Sequence, residues 1–386
     1  MTIPVLLIHY HEIALKGKNR SFFENNLKRN LLQTLPISPR DFFFEPGRIV
    51  ISLKKQQPKP DWSAKLQRIF GIAYFSFAFQ IEKSRSTFKK AILSQIKLID
   101  FKSFKITTRR ADKKFPQTSQ ELNDFLGQTV ADKTKATVNL SKPELEIFLE
   151  IAFKHAYLYF KKIPGPGGLP VSSAGKLLGL LSGGIDSPTA AYLMMKRGAH
   201  VDLIHFHSYP QTNQESINKV QTLVKILTRW QPKTKLYLIP FLSLQKKIFK
   251  NCDHRLLVIL YRRAMHQISQ KIAFKNNYQG LVTGESLSQV ASQTLPNLAA
   301  TSAGLKLPLY RPLIGFDKQE IINLAQKIGT YPISIQPHQD CCQLFVPRHP
   351  TTRAKLEEVL TEEKKANLSK LMSEAFKNTK PLEIRN

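Results

Sequence analysis

At 386 residues the chain is long for a single domain, and 42% hydrophobic with 10% aromatic residues is enough to bury real cores, which excludes wholesale disorder. It carries 58 Lys+Arg against 28 Asp+Glu, a formal net charge of +30, and residues 1–170 and 171–386 each hold 29 basic and 14 acidic side chains. A basic excess built into the whole body points to a polyanionic partner, nucleic acid or an anionic membrane, with a generic solubility charge as the plain alternative.

The N-terminus, MTIPVLLIHYHE, has only a short apolar run from Ile3 to Ile8 and no basic segment before it, so it reads as a strand and not a signal peptide. No later apolar stretch approaches the length of a membrane helix. Three cysteines, two of them adjacent, cannot build a disulfide scaffold, so a reducing, cytoplasmic compartment and no membrane partner are expected.

In chain order, Val5–Tyr10 reads as a strand, and Ser21-Phe-Phe-Glu24 as a capping box opening a helix to about Thr34. Phe42–Phe44 and Arg48–Leu53 flank Glu45-Pro46-Gly47 as a hairpin, and Gln56–Pro60 reads as a linker. A second unit follows: a helix over Ala64–Phe70, an aromatic strand Tyr74–Gln80, a basic helix Thr87–Ile96, a strand Ser103–Arg109 and a helix from Ser119. Strands near Thr137–Leu140, Leu145–Ile151 and Tyr157–Lys161 complete it. Pro164-Gly-Pro-Gly-Gly168 is expected to act as a hinge.

Beyond the hinge the pattern changes to βαβα. Apolar strands Lys176–Leu181, Val201–Phe206, Lys235–Ile239 and Gly280–Thr283 alternate with long helical segments, the signature of a parallel sheet buried on both faces. Residues from about Thr351 to Phe376 read as one charged amphipathic helix. There is no internal repeat.

The strongest local signal is Leu180-Leu-Ser182-Gly183-Gly184-Ile-Asp186-Ser187-Pro188, between an apolar strand and the helical run TAAYLMMKR. Ser187 sits where an N-cap belongs and Pro188 where a first-turn proline is tolerated. Two glycines and a helix N-terminus make an anion site, and the spacing is not that of a Walker loop. A plain glycine turn is the bland alternative.

SGGIDS resembles the PP-loop of ATP pyrophosphatases, which adenylate a substrate oxygen and release pyrophosphate. The resemblance implies that Ser182, Gly183, Gly184, Asp186 and Ser187 bind the phosphates of ATP and that Asp186 helps hold Mg2+. Leu180–Leu181 and His205–Phe206, at the carboxyl ends of two strands, are expected to flank the adenine.

Further segments narrow the family: HEIALKGKNR from His11, GPGGLP from Gly165, TGESLSQVASQT from Thr283, RPLIGFDK from Arg311, and Asp340-Cys341-Cys342. Together they resemble the tRNA 4-thiouridine synthetase (ThiI) family, in order, from residue 1 to about 350. The resemblance implies an α/β fold in which two small α+β units precede a Rossmann-like PP-loop domain. Its parts would be a ferredoxin-like domain at 1–57, a tRNA-binding THUMP domain at 58–163, a linker at 164–175 and the PP-loop ATP pyrophosphatase domain at 176–386. By the same resemblance Arg262, Gly284 and Gln293 line the ATP site, Lys318 supports adenylation, and Cys341 is the catalytic cysteine. Lys16, Lys18, Arg20, Arg109 and Arg110 are assigned to tRNA.

Each of these has a plainer reading. Lys16, Lys18 and Arg20 also fit a solvated loop. Lys318 follows an N-cap-like Asp317, an electrostatically unfavourable place for a cation, which suggests a use beyond a surface lysine. Cys342 is either a packing thiol or one that resolves a spent persulfide. His205 and His207 share a strand face but read better as a packed pair than as metal ligands. An iron–sulfur cluster on Cys252, Cys341 and Cys342 lacks the usual CxxC spacing.

Some members of this family carry a C-terminal rhodanese domain with its own persulfide cysteine. None is expected here, so sulfur is expected from a cysteine desulfurase or another persulfide donor, and a thiamine role is not expected. The resemblance also implies a homodimer. The expected activity is ATP-dependent sulfuration of uridine 8 of tRNA to 4-thiouridine. The rivals are a tRNA-binding module with a vestigial nucleotide site and a PP-loop enzyme acting on another substrate. Intact SGGIDS, Lys318 and Cys341 argue against the first, and the hinge, GESLSQVASQT and DCC segments against the second.

Overall fold

Alternating short strands and helices over the first 169 residues form one unit, and residues 170–386 form a second. The computed structural model describes residues 2–54, 57–337, 344–345 and 349–385. The first unit runs β1 (Ile3–His9), α1 (Arg20–Thr34), β2 (Phe42–Glu45), β3 (Arg48–Ser52), α2 (Trp62–Leu66), β4 (Tyr74–Ile81), α3 (Arg85–Ile96) and β5 (Ser103–Arg110). It continues with α4 (Ser119–Thr134), β6 (Thr137–Val138), β7 (Leu145–Ile151), β8 (Ala156–Tyr159) and β9 (Ile163–Pro164).

The strands of both small α+β parts join one sheet of order β2-β3-β1-β4-β8-β7-β5-β6, with β9 added to β4. Side chains alternate across it. Leu6 and Ile8 pack with Leu27 and Leu31 of α1 and Trp62 of α2, while Phe104 and Ile147 pack with Phe88 of α3 and Leu126 of α4. The opposite face, with Val5, Leu7, Val50, Phe148 and Tyr157, is also buried. The sheet achieves this by curling. Flat, β2 and β8 would lie about 19 Å apart, yet Tyr157 Oη donates to Glu45 Oε1 at 3.0 Å. Across the same concave face, His9 and Arg48 each reach buried Glu150 at 3.1 Å.

Two local expectations change here. The Ser21–Glu24 capping box does not form: α1 continues directly from a 3-10 helix, Glu12–Asn19, and the Arg20 N–H already bonds Gly17 O. Glu24 is used instead as the acceptor for Tyr10 Oη. The glycine-rich segment expected as a hinge is pinned at its start. Pro164 pairs opposite Tyr74, Gly165 N–H donates to Ala73 O, and Gly167 N–H donates to Ile72 O. A Cβ on Gly165 would stand 2.3 Å from the Ile72 carbonyl oxygen, so only glycine lets the backbone pass.

The second unit runs β10 (Lys176–Leu180), α5 (Asp186–Lys196), β11 (His200–His207), α6 (Gln214–Thr228), β12 (Lys233–Pro240), α7 (Leu242–Asn251) and α8 (Leu257–Lys275). Then follow β13 (Leu281–Val282), α9 (Leu295–Ser302), β14 (Leu309–Tyr310), α10 (Lys318–Ile328), α11 (Tyr331–Ser334), α12 (Leu356–Ala366), α13 (Ser369–Lys377) and β15 (Lys380–Arg385). Five strands are parallel in the order β14-β13-β10-β11-β12, as the βαβα pattern predicts.

The C-terminal region departs from the single predicted helix. Asn367, at φ 43°, breaks it into α12 and α13, and β15 then pairs antiparallel along β12 as an edge strand. Chain order reverses between β10 and β13. In an open α/β sheet that is where a ligand crevice forms, beyond the carboxyl ends of the strands.

Candidate active site

The loop after β10 is shaped by its two serines. Ser182 N–H donates to Ser187 Oγ at 2.9 Å, the two hydroxyls lie 3.0 Å apart, and Gly184 N–H reaches Ser182 Oγ at 3.3 Å. Ser187 is therefore not the N-cap that its position suggests. Helix α5 begins one residue earlier, at Asp186, and the Ser187 hydroxyl folds back to brace the loop. Pro188 does fall in the first turn, where its missing N–H costs nothing. From the next crossover Gly284 closes on this turn: a Cβ there would lie 2.6 Å from Ser187 N, so the two backbones touch.

A cavity of about 230 Å3 opens at this point. Of the residues expected at a nucleotide, Leu180, Leu181, Ser182, Asp186, Ser187, His205, Phe206, Arg262, Gly284 and Gln293 line it, while Gly183 and Gly184 stand outside the lining. His205 Nδ1 is 2.9 Å from Leu181 O; a carbonyl only accepts, so that nitrogen carries the proton. Burial, reinforced by neighbouring His205, takes His207 down to about 4. His207 is therefore neutral at physiological pH. No cluster of three or more metal-ligating side chains exists among the described residues.

Asp186 is the electrostatic centre. Lys318 Nζ lies 2.6 Å from its Oδ1 and Gln289 Nε2 donates to its Oδ2 at 2.9 Å. Lys318 is the first residue of α10, held there by a capping box in which Asp317 accepts from the Glu320 N–H and Glu320 from the Asp317 N–H. The helix end that disfavours a lysine thus delivers it to a carboxylate.

Deeper in the cavity Glu285, 3% exposed, is bonded at 2.5 Å by both Arg262 and Arg311 and at 2.9 Å by Thr283 Oγ1. Burial pushes this carboxyl up, but the charges of Arg262 and Arg311 outweigh it and hold the group below its ordinary range. Sequence reasoning missed Glu285, Gln289 and Arg311 as site residues. All three lie in segments it had singled out, but nothing in their spacing shows which of them turn inward.

Cys252 is buried, and burial raises its thiol to about 11, which suits packing and not nucleophilic chemistry. Cys341 and Cys342 lie outside the described residues. In the first unit Lys18 and Arg109 are exposed. Lys16 lies over the Phe23 ring at 5.0 Å, Arg20 donates to Ala14 O, and Arg110 holds Phe115 O and Gln117 O. Arg20 and Arg110 therefore also serve the local backbone.

A parallel α/β sheet with a serine–glycine phosphate loop at its switch point defines a nucleotide-binding protein of the PP-loop class. Family models match in three stretches: the ThiI ferredoxin-like domain at residues 5–76, the THUMP domain at 80–161, and the thiamine biosynthesis protein ThiI at 172–368. The chain is 43% identical over 374 residues to a probable tRNA sulfurtransferase of Caldanaerobacter subterraneus subsp. tengcongensis, covering 95% of this chain and 97% of the relative. It is 41% identical over 367 residues to a probable tRNA sulfurtransferase of Thermoanaerobacter sp., covering 95% and 96%. A solved 4-thiouridine synthetase, in complex with RNA and with bound ATP, superposes with a TM-score of 0.88 at 32% identity, covering 99% of this chain and all of that one. The chain belongs to the ThiI family.

Proposed function

We propose that the protein is an ATP-dependent tRNA sulfurtransferase that converts uridine 8 of tRNA to 4-thiouridine. The observation that carries this reading is the Asp186–Lys318 pair, brought together across 132 residues at the phosphate loop. ATP would lie with its phosphates on Ser182–Ser187 and its base near Leu181 and His205–Phe206. The uridine O4 attacks the α-phosphorus and pyrophosphate leaves. Lys318 supplies positive charge as that bond forms, and the preorganised loop N–H groups do the rest.

Mg2+ typically takes one or two carboxylates together with substrate phosphates, and Asp186 beside the loop fits that demand. Asp186 would hold the ion, which when bound neutralises phosphate charge. In the second half-reaction the terminal sulfur of a persulfide on Cys341 bonds C4, and AMP leaves with the former O4. A second thiol then cleaves the S–S bond, releasing 4-thiouridine and leaving a disulfide for an external thiol to reduce. A cysteine desulfurase or another persulfide donor reloads the cysteine.

The first unit, with Lys16, Lys18, Arg20, Arg109 and Arg110, is the proposed tRNA-binding part. Self-association as a homodimer and a cytoplasmic location are carried over with the family. No helix among the described residues is long and apolar enough to cross a membrane. The reading is tested by pyrophosphate release from ATP and Mg2+ with and without tRNA. Release that requires a tRNA bearing U8 supports it; release indifferent to tRNA overturns it.

A further inference from the structure

The phosphate loop turns on a glycine whose two flanking peptides are each held by a serine hydroxyl. On one side Gly184 N–H donates to Ser182 Oγ at 3.3 Å. On the other, Gly184 O accepts from Ser334 Oγ at 3.3 Å, a hydroxyl brought in across 150 residues. Ser334 is buried, at 5% exposure.

Glycine has the freest backbone of any residue, whereas an anion loop works best when its N–H groups are aimed before the anion arrives. A trans peptide is planar, with its C=O and N–H pointing in opposite directions. Holding the Gly184 carbonyl toward Ser334 therefore turns the Ile185 N–H to the other side of the loop. This agrees with Gly184 standing outside the cavity lining while Ser182, Asp186 and Ser187 face it.

Ser334 is itself held. It is the last residue of α11, and its carbonyl accepts from Lys219 Nζ of α6 at 2.8 Å; the same ammonium donates to Gln336 O at 2.6 Å. Lys219 is 6% exposed, and a buried ammonium is costly unless its N–H groups are paired, so loosening these carbonyls is unfavourable. Helix α11 follows closely on α10, and Thr330 N–H between them returns to Ala325 O at 3.0 Å. The two helices thus grip the phosphate loop at two points, Lys318 at Asp186 and Ser334 at Gly184.

We propose that Ser334, anchored by Lys219, is a positioning residue for ATP: by fixing the Gly184 carbonyl it presets the Ile185 N–H for the phosphates. The inference rests on the reading of this loop as an ATP site.

The test uses full-length Ser334→Ala in pyrophosphate release with ATP, Mg2+ and tRNA, reading kcat and the KM of each substrate. The KM for ATP should rise about 3- to 10-fold, the worth of one hydrogen bond, while the KM for tRNA and kcat at saturating ATP stay near wild type. Ser334→Thr, which keeps the hydroxyl, should recover most of the loss. Lys219→Met acts through the same hydroxyl, so the double variant should show no larger KM for ATP than the worse single one. An unchanged KM for ATP in Ser334→Ala, a parallel rise in the KM for tRNA, or an equal defect in Ser334→Thr overturns the proposal. Additive effects of Ser334→Ala and Lys219→Met overturn the anchoring; should Lys219→Met fail to fold, the two Ser334 variants decide alone. A wild-type protein that releases no pyrophosphate from ATP would sink the ATP-site reading itself, a distinguishable result.

Discussion

Lys318 Nζ sits 2.6 Å from Asp186 Oδ1, joining the first residue of one helix to the first residue of another. Two helix N-termini point their positive ends at one place, and a lysine is added to them. Such an arrangement favours an anion such as a polyphosphate. Asp186 keeps the arrangement stable until the nucleotide arrives.

Asp186→Ala should therefore abolish pyrophosphate release while leaving tRNA affinity within about twofold, since phosphate contacts to RNA dominate that affinity. The checks are a pyrophosphate assay and a filter-binding titration on the same preparation. Normal 4-thiouridine from this variant would remove the phosphate loop from the mechanism.

Glu285 sets a prediction in pH. Its folded carboxyl is held below the ordinary carboxylate range, so the stability it contributes is present above that range. That stability is lost as pH falls through the depressed folded value. Glu285→Gln should flatten this acid limb. Removing one partner of a buried ion pair costs about 3–5 kcal/mol, so the variant should also melt earlier at neutral pH and bind ATP more weakly through a displaced Arg262. Urea unfolding at a series of pH values, with an ATP titration, decides it.

The basic residues of the first unit should divide by whether they hold backbone carbonyls, as Arg20 and Arg110 do, whereas Arg109 bonds the Tyr74 side chain. Lys18→Ala and Arg109→Ala remove exposed charges, and each is expected to lower the slope of log affinity against log salt by up to about 0.9. Arg20→Ala and Arg110→Ala strip donors from backbone carbonyls and should lower Tm as well. Equal Tm losses across all four would contradict the division.

How far the sequence already disclosed this protein depends on the range of each interaction. The parallel strands, the phosphate loop and the Asp317 cap are local patterns, and they appear where periodicity and spacing put them. The failed Ser21 capping box shows the limit: its glutamate is claimed by Tyr10, a partner brought in by the fold. The curl that joins Glu45 to Tyr157 and the edge strand β15 depend on non-local pairing that no short window contains. In the site, Gly284 was legible through its motif, whereas Glu285 beside it gains meaning only once Arg262 and Arg311 converge on it.

The paired cysteines should separate by step. Cys341→Ser keeps the phosphate loop, Arg262 and Lys318, so adenylation should continue while 4-thiouridine disappears. A hydroxyl cannot form a persulfide. Cys342→Ser should stay active if that thiol only packs. If it resolves the spent persulfide, a preloaded enzyme should complete a near-normal first round and then stall. An active Cys341→Ser with an inactive Cys342→Ser would exchange the two roles.

The most direct measurement is mass spectrometry of tRNA fragments after incubation with the purified protein, ATP, Mg2+, a cysteine desulfurase and cysteine. The account predicts sulfur in place of oxygen at uridine 8 alone, dependent on ATP and absent with Asp186→Ala. Unmodified tRNA under these conditions, or sulfur at another nucleotide, would contradict it.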